Sequence, residues 1–174
     1  PPEIWAPIPA SLFVASKLLA LAGEVPNAPD LELLQAPYAS RVETIDGWHL
    51  AGSRTTTPVP YEELPPILIA AILAGEDEDF FSHTAFNSRA IFRAAYQNLR
   101  AGKTVQGAST ITQQVAKQFL GNERTYERKI KELLIARRLE ANYSKRDILD
   151  AYVRSVYLGH RAEGVTNASW HYFN

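Results

Sequence analysis

Residues 125–159 read TYERKIKELLIARRLEANYSKRDILDAYVRSVYLG, and their pattern decides the fold class. Thr125 is placed to cap a long helix that runs to about Tyr143. Ser144, with Asp147 three residues on, is placed to cap another. Ile148, Tyr152 and Val156 give that second helix an apolar stripe, and Gly159 gives it a stop. On the first helix Glu132 shares a side with Ile135, Ala136 and Leu139, while Arg128 and Lys129 lie one turn back. A carboxylate on an apolar side needs a partner or a task. The plain alternative is an i, i+4 pair with Arg128, worth about a few tenths of a kcal/mol.

Upstream the helical reading continues. GASTITQQVAKQFL (residues 107–120) contains Thr110-Ile-Thr-Gln113, the spacing of a capping box. The Thr110 hydroxyl can take the Gln113 N–H, and the Gln113 side chain can reach back. Ile111, Val115 and Phe119 form a stripe. Ser88 is placed to open an earlier helix, with Ile91, Ala95 and Leu99 at four-residue steps and Gly102 past its end. Pro66 opens another, where its missing N–H costs nothing. Ile67–Ala74 of that helix, ILIAAILA, is apolar all round, as in a helix buried on every side.

The first 63 residues read differently. ASLFVASKLLALA (Ala10–Ala22) predicts a short helix between Pro9 and Gly23, with Lys17 inside it. A spanning helix needs about 20 apolar residues, so this segment is a core or surface helix, or one lying at a membrane interface. RVETIDGWHLAG (41–52) predicts a hairpin with Asp46-Gly47 as its turn pair and Val42, Thr44, Trp48 and Leu50 alternating. TTTPVPYEELPP reads as a linker. The expected fold is mainly α with a small β hairpin near the start.

Composition narrows the function. The chain has 174 residues, 46 % hydrophobic and 21 % charged, enough for one domain with a real core. A formal net charge of −1 gives no global field for nucleic acid. With no Cys there is no disulfide framework and no thiolate ligand or nucleophile. No signal-peptide pattern is present, and the lack of any Met, even at position 1, points to a fragment or processed form. Between Lys117 and Arg161 stand 11 Lys/Arg against 6 Asp/Glu. That imbalance suits either an anion-binding region or ordinary solvated helix faces.

GEDEDFFSH (Gly75–His83) puts Glu76 and Asp77 at the C-terminal end of an apolar helix, the end where the dipole disfavours acids. A carboxylate there suits a general acid or base, and a solvated acidic loop with His83 paired to an Asp is the alternative. The start of the 110–119 helix offers free N–H groups to an anion. Gln113, Gln114 and Lys117 share a face of it. Two carboxylates, a helix terminus and several cations suit a reaction with an anionic leaving group and a proton to remove. Glycosyl transfer from a sugar phosphate fits that set.

AILAGEDEDFFSH, GASTITQQVAKQFL, RKIKELLIARRLE, ILDAYVRSVYLG and GVTNASWHYF, in that order, resemble the five successive motifs of the family 51 peptidoglycan glycosyltransferases. These are the transglycosylase domains of bifunctional penicillin-binding proteins and of monofunctional cell-wall transglycosylases. The resemblance runs from about Leu64 to Asn174, leaving 1–63 as an N-terminal segment. The family continues beyond the point where this chain stops, with several more helices.

The resemblance implies a lysozyme-like helical domain against the outer face of a bacterial cytoplasmic membrane. The implied reaction polymerises lipid II into β-1,4 glycan strands, with inversion and release of undecaprenyl pyrophosphate. The implied partners are lipid II, the growing strand, the membrane surface and other cell-wall synthesis proteins. By motif, Glu76 becomes the base and Glu132 the second essential glutamate, near the donor. Asp77, Phe80 and His83 shape the acceptor side. Ser109, Thr110, Gln113, Gln114 and Lys117 line the cleft, and Lys117, Arg124, Arg128 and Lys129 meet the pyrophosphate. No cofactor is required; carboxylates beside a pyrophosphate are compatible with Mg²⁺, though no ligand spacing demands it.

Several positions depart from the family pattern. Ala85 and Asn87 stand for a Gly and an Asp, and Arg154 stands for an Asn. Arg161 and Glu163 stand where a small residue and often an aromatic are usual. Ala for Gly matters only if the backbone needs a positive φ, and Arg for a buried Asn needs a new partner. Two other functions therefore stand beside glycosyl transfer. One is a lipid II-binding domain that has lost turnover; the other is a lysozyme-like hydrolase, since one fold hosts both chemistries.

Overall fold

The computed structural model describes residues 10–27, 29–34, 41–46, 49–52, 59–87, 93, 96–97, 100, 109–121, 123, 125–160 and 162–173. Its elements run in the order α1 (Ala10–Gly23), β1 (Arg41–Glu43), β2 (His49–Gly52), α2 (Pro66–Glu76), α3 (Ile111–Gln118), α4 (Tyr126–Asn142), α5 (Lys145–Ser155) and α6 (Val165–Phe173). Short 3-10 turns occupy Leu31–Leu34 and Tyr61–Glu63. The mainly helical fold is the expected one.

The centre is a triangle of α3, α4 and α5, each packed on the other two. Its interior holds Ile111 and Val115 from α3, Ile135 and Leu139 from α4, and Ile148 and Leu149 from α5, all fully buried. All but Leu149 belong to the stripes the spacing marks, of which Phe119 and Val156 are only partly buried. The caps hold as well. Thr125 Oγ1 accepts the Arg128 N–H at 3.0 Å, and Ser144 and Asp147 form a complete capping box.

Three local expectations need correction. At α3, Thr110 Oγ1 accepts the Gln113 N–H, but the Gln113 side chain does not return to the cap. It donates to the Ala85 carbonyl and accepts from Lys129 instead. Helix α2 is not buried on every side. Leu68, Ile69, Ile72 and Leu73 pack against the core, while Ile67, Ala70, Ala71 and Ala74 face out. One neighbouring surface can cover only one face of an eleven-residue helix. Helix α5 ends at Ser155 rather than Gly159, with Val156 as its extended cap. Gly159 (φ +91) turns the chain after that. In the hairpin Arg41 pairs with Gly52, Val42 with Ala51 and Glu43 with His49; Gly47 and Trp48 lie outside the described residues. The helix expected from Ser88 falls mostly outside the described residues; Arg93, Tyr96, Gln97 and Arg100 are helical.

Helix α1 lies against α4 with little apolar burial. Leu21 is buried, whereas Leu12, Val14, Leu18 and Leu19 are exposed; the Phe13 side chain lies outside the described residues. Polar ties hold it instead. Lys17 pairs with Glu127 at 2.5 Å and Lys131 with Glu24 at 2.6 Å. The hydrogen bond between Lys17 and Glu127 holds the first above and the second below its ordinary pKa. The Arg138 guanidinium donates to the carbonyls of Ala22, Val25 and Pro26 and so caps the helix C-terminus. No helix among the described residues is long and apolar enough to cross a membrane.

Three of the departures from the family pattern, Ala85, Asn87 and Arg154, find local answers; Arg161 lies outside the described residues. Among the described residues His160 alone combines a side chain with a positive φ, so the backbone at Ala85 has no need of glycine. The Asn87 amide donates to Asp79 at 3.4 Å. Arg154 has a new partner: its Nε lies 2.9 Å from Asp150 Oδ2, an ion pair not aligned as a hydrogen bond.

Gly164 is the tightest backbone position. Its φ is +77, and a Cβ there would lie 2.2 Å from the Arg154 carbonyl oxygen. Gly164→Ala is expected to lose at least about 2 kcal/mol of stability in chemical denaturation, through clash and backbone strain together. Gly121, with nothing within 4 Å of such a Cβ, is the control site. A Gly164→Ala domain within about 0.5 kcal/mol of the parent contradicts the packing described.

Candidate active site

Helix α2 delivers two adjacent carboxylates to different places. Asp77, its C-terminal cap, is 7 % exposed. Asp77 Oδ1 accepts from His83 Nε2 at 2.7 Å, and Oδ2 accepts the Ile111 N–H at 3.2 Å. The second bond joins the end of α2 to the start of α3. It also sets a negative charge at a helix N-terminus, where the dipole favours it. Nδ1 of His83 faces the Thr84 carbonyl. Glu76 remains exposed and accepts from Gln114 Nε2 at 2.7 Å.

A second cluster gathers on α4. Glu132 is 3 % exposed and sits between two cations. Arg128 Nη1 approaches it at 3.3 Å, and Lys129 Nζ bonds its other oxygen. Lys129 also donates to Ser109 Oγ at 3.2 Å and Gln113 Oε1 at 3.1 Å. A buried carboxylate with two cations and their hydrogen bonds has its desolvation offset. Neighbouring residues on α3 therefore divide the work: Gln114 reaches Glu76, and Gln113 reaches the Lys129–Glu132 group.

Beside them lies a cleft of about 1040 Å³ lined by Leu33, Leu34, Ser109, Gln114, Lys117, Gln118, Leu120, Tyr152, Ser155, Val156, Tyr157 and Glu163. Lys117 is exposed and forms no ion pair among the described residues. Tyr152 is buried, and burial, with the charge of Glu76 adding to it, pushes its phenol up to about 12. It is thus a neutral hydroxyl near neutral pH.

Of the residues singled out from sequence, Ser109, Gln114 and Lys117 line this cleft, and Glu76 joins it through Gln114. Phe80, Thr110 and Gln113 are buried supports. Phe80 is fully enclosed, with Lys145 over its ring at 4.3 Å. Thr110 Oγ1 donates to the Ala85 carbonyl at 2.9 Å. Arg124 lies outside the described residues. Tyr152 is a cleft residue that the sequence does not mark, because it stands in the apolar stripe of α5. The Leu33–Leu34 wall is likewise unmarked, because nothing in the sequence of a short 3-10 turn points toward α5. Among the described residues no group of three or more His, Asp and Glu is arranged to hold a metal ion.

A helical domain with one exposed and one ion-paired glutamate beside a polar cleft has the equipment for glycosyl transfer. A family model described as transglycosylase matches residues 43–174, most of the chain and the hairpin's second half with it. The chain belongs to the transglycosylase family, a class of glycosyl-transferring enzymes. It is 43 % identical over 153 residues to penicillin-binding protein 1A of Aquifex aeolicus, covering 84 % of this chain and 21 % of that protein. It is 37 % identical over 165 residues to penicillin-binding protein 1A of Pseudomonas aeruginosa, covering 93 % and 20 %. It is 36 % identical over 176 residues to penicillin-binding protein 1F of Bacillus subtilis, covering 96 % and 25 %. The chain spans about a fifth to a quarter of the length of these relatives.

The partners of Asp77 and Lys117 give opposite expectations for stability. Asp77→Ala strips His83 and the Ile111 N–H of a buried acceptor and should cost about 2–3 kcal/mol in urea denaturation. Lys117→Ala removes an exposed side chain and should stay within about 0.5 kcal/mol. Equal effects of the two substitutions contradict this division between a buried tie and a free cation.

Proposed function

We propose that this domain is a peptidoglycan glycosyltransferase that polymerises lipid II into β-1,4 glycan strands and releases undecaprenyl pyrophosphate. The observation that carries the reading is a pair of unlike glutamates joined to one helix, Glu76 by a bond from Gln114 and Glu132 through Lys129, which also bonds Gln113. Glu76 is exposed and bonded to the cleft residue Gln114, and Glu132 is buried between two cations. Glu76, accessible and steadied by Gln114, takes the proton from the acceptor sugar hydroxyl as that oxygen attacks the anomeric carbon of the donor. The bond to pyrophosphate breaks as the new bond forms on the opposite face, which gives inversion. A single displacement needs one base and no enzyme nucleophile.

Charge on the departing pyrophosphate falls to Lys117, Arg128 and Lys129, with Arg124 assigned to the same task by its motif. Glu132 orients Arg128 and Lys129 rather than touching the anion. A preorganised cation set of this kind stabilises a leaving group without reorganising during the reaction. A divalent ion beside the pyrophosphate would supplement these cations.

The substrate's isoprenoid chain requires the cleft to work at a membrane surface, here the outer face of a bacterial cytoplasmic membrane. The exposed Leu12, Val14, Leu18 and Leu19 of α1 are suited to shallow insertion there. Other cell-wall synthesis proteins fit as partners at that surface.

Glu76→Gln keeps the shape and the contact with Gln114 while removing the proton acceptor. Polymerisation of labelled lipid II should fall by about 10² to 10⁴-fold, with lipid II binding and melting temperature close to the parent's. Retention of more than a third of the parent's turnover contradicts the base assignment.

A further inference from the structure

After Val156 the chain turns at Gly159 and comes back, and Tyr157 and Glu163 meet in an isolated antiparallel bridge. The return is tightly bonded. Leu158 N–H donates to the Ala162 carbonyl at 2.9 Å and Gly164 N–H to the Val156 carbonyl at 2.8 Å. Both bridge residues line the cleft. Residues directly opposed in antiparallel pairing carry their side chains on one side, about 4.5–5.5 Å apart at Cβ. The Tyr157 side chain is 65 % exposed. Glu163 is half-buried, and its carboxylate forms no ion pair among the described residues. Lys117 lines the same cleft and does not pair with it.

An aromatic ring beside an unpaired carboxylate is a receptor for an ammonium group. The carboxylate supplies the opposite charge and a strong acceptor; the ring face adds a cation–π contact. The same carboxylate repels phosphate, so this wall meets a part of the substrate other than the leaving group. We propose that Tyr157 and Glu163 form a specificity site for an ammonium group on the peptide moiety of the substrate. The site rests on the lipid II reading and adds which part of that substrate meets this wall.

Two lipid II preparations in detergent micelles, alike except that the side-chain amine of the stem peptide is free or acetylated, test it by equilibrium binding. The parent domain should bind the free-amine lipid roughly three- to tenfold more tightly, as befits a partly exposed ion pair with a cation–π contact. Added salt should shrink that ratio. Glu163→Gln and Tyr157→Leu should each bring it toward one, with the melting temperature unchanged. Equal affinity of the parent domain for the two lipids overturns the proposal, as does a ratio that survives Glu163→Gln. Failure to bind either lipid contradicts the lipid II reading itself and this site with it, so the two failures are told apart.

Discussion

The Asp77 carboxylate is the constraint on which the site depends. It stands at the C-terminus of α2, where the helix dipole opposes a negative charge. The same carboxylate takes the first N–H of α3, where the dipole favours one, and a bond from His83. One buried acid thus links the end of one helix to the start of the next and fixes the 80s loop beside both. Glu76, its neighbour in the chain, is thereby brought to Gln114 on the second turn of α3. A helix ending in acids makes sense only with that second helix in place.

Helix α3 then joins two unlike carboxylates. Glu132 is buried with compensating cations, and Glu76 is exposed with one amide donor. The helix carrying Glu132 is held from two directions: α3 and α5 pack on its apolar side, and α1 is tied to it by Glu127, Lys131 and Arg138. The apolar surface that α1 leaves exposed is therefore tied to the helix that carries Arg128 and Lys129. The proposed lipid-linked substrate calls for such a relation between membrane and cleft.

Much of this was legible in the sequence because local rules decide it. Thr125, Ser144 and Asp147 announce their caps, and the stripes of α3, α4 and α5 announce the core. Glu132 could be singled out because a lone acid on an apolar face needs partners. What was illegible depended on long-range contacts. Gln113 was read as half of a capping box, since nothing local reveals the Ala85 carbonyl or Lys129 as stronger claims on its side chain. Ile67–Ala74 looked buried all round because an apolar run does not say how many neighbours will cover it. Tyr152 looks like core, since it joins the cleft wall only once α3 and α5 are packed. Arg154 looked like a loss until Asp150, one turn back, proved to be its partner.

The central claim is that the two glutamates and the cations around α3 perform glycosyl transfer. The most direct measurement is incubation of the parent domain with labelled lipid II, resolving polymer, cleaved disaccharide and unreacted lipid in one separation. The account predicts glycan polymer with undecaprenyl pyrophosphate released in step. Disaccharide without polymer, the product of a hydrolase, or bound lipid that never turns over, the behaviour of a binding domain, would contradict it.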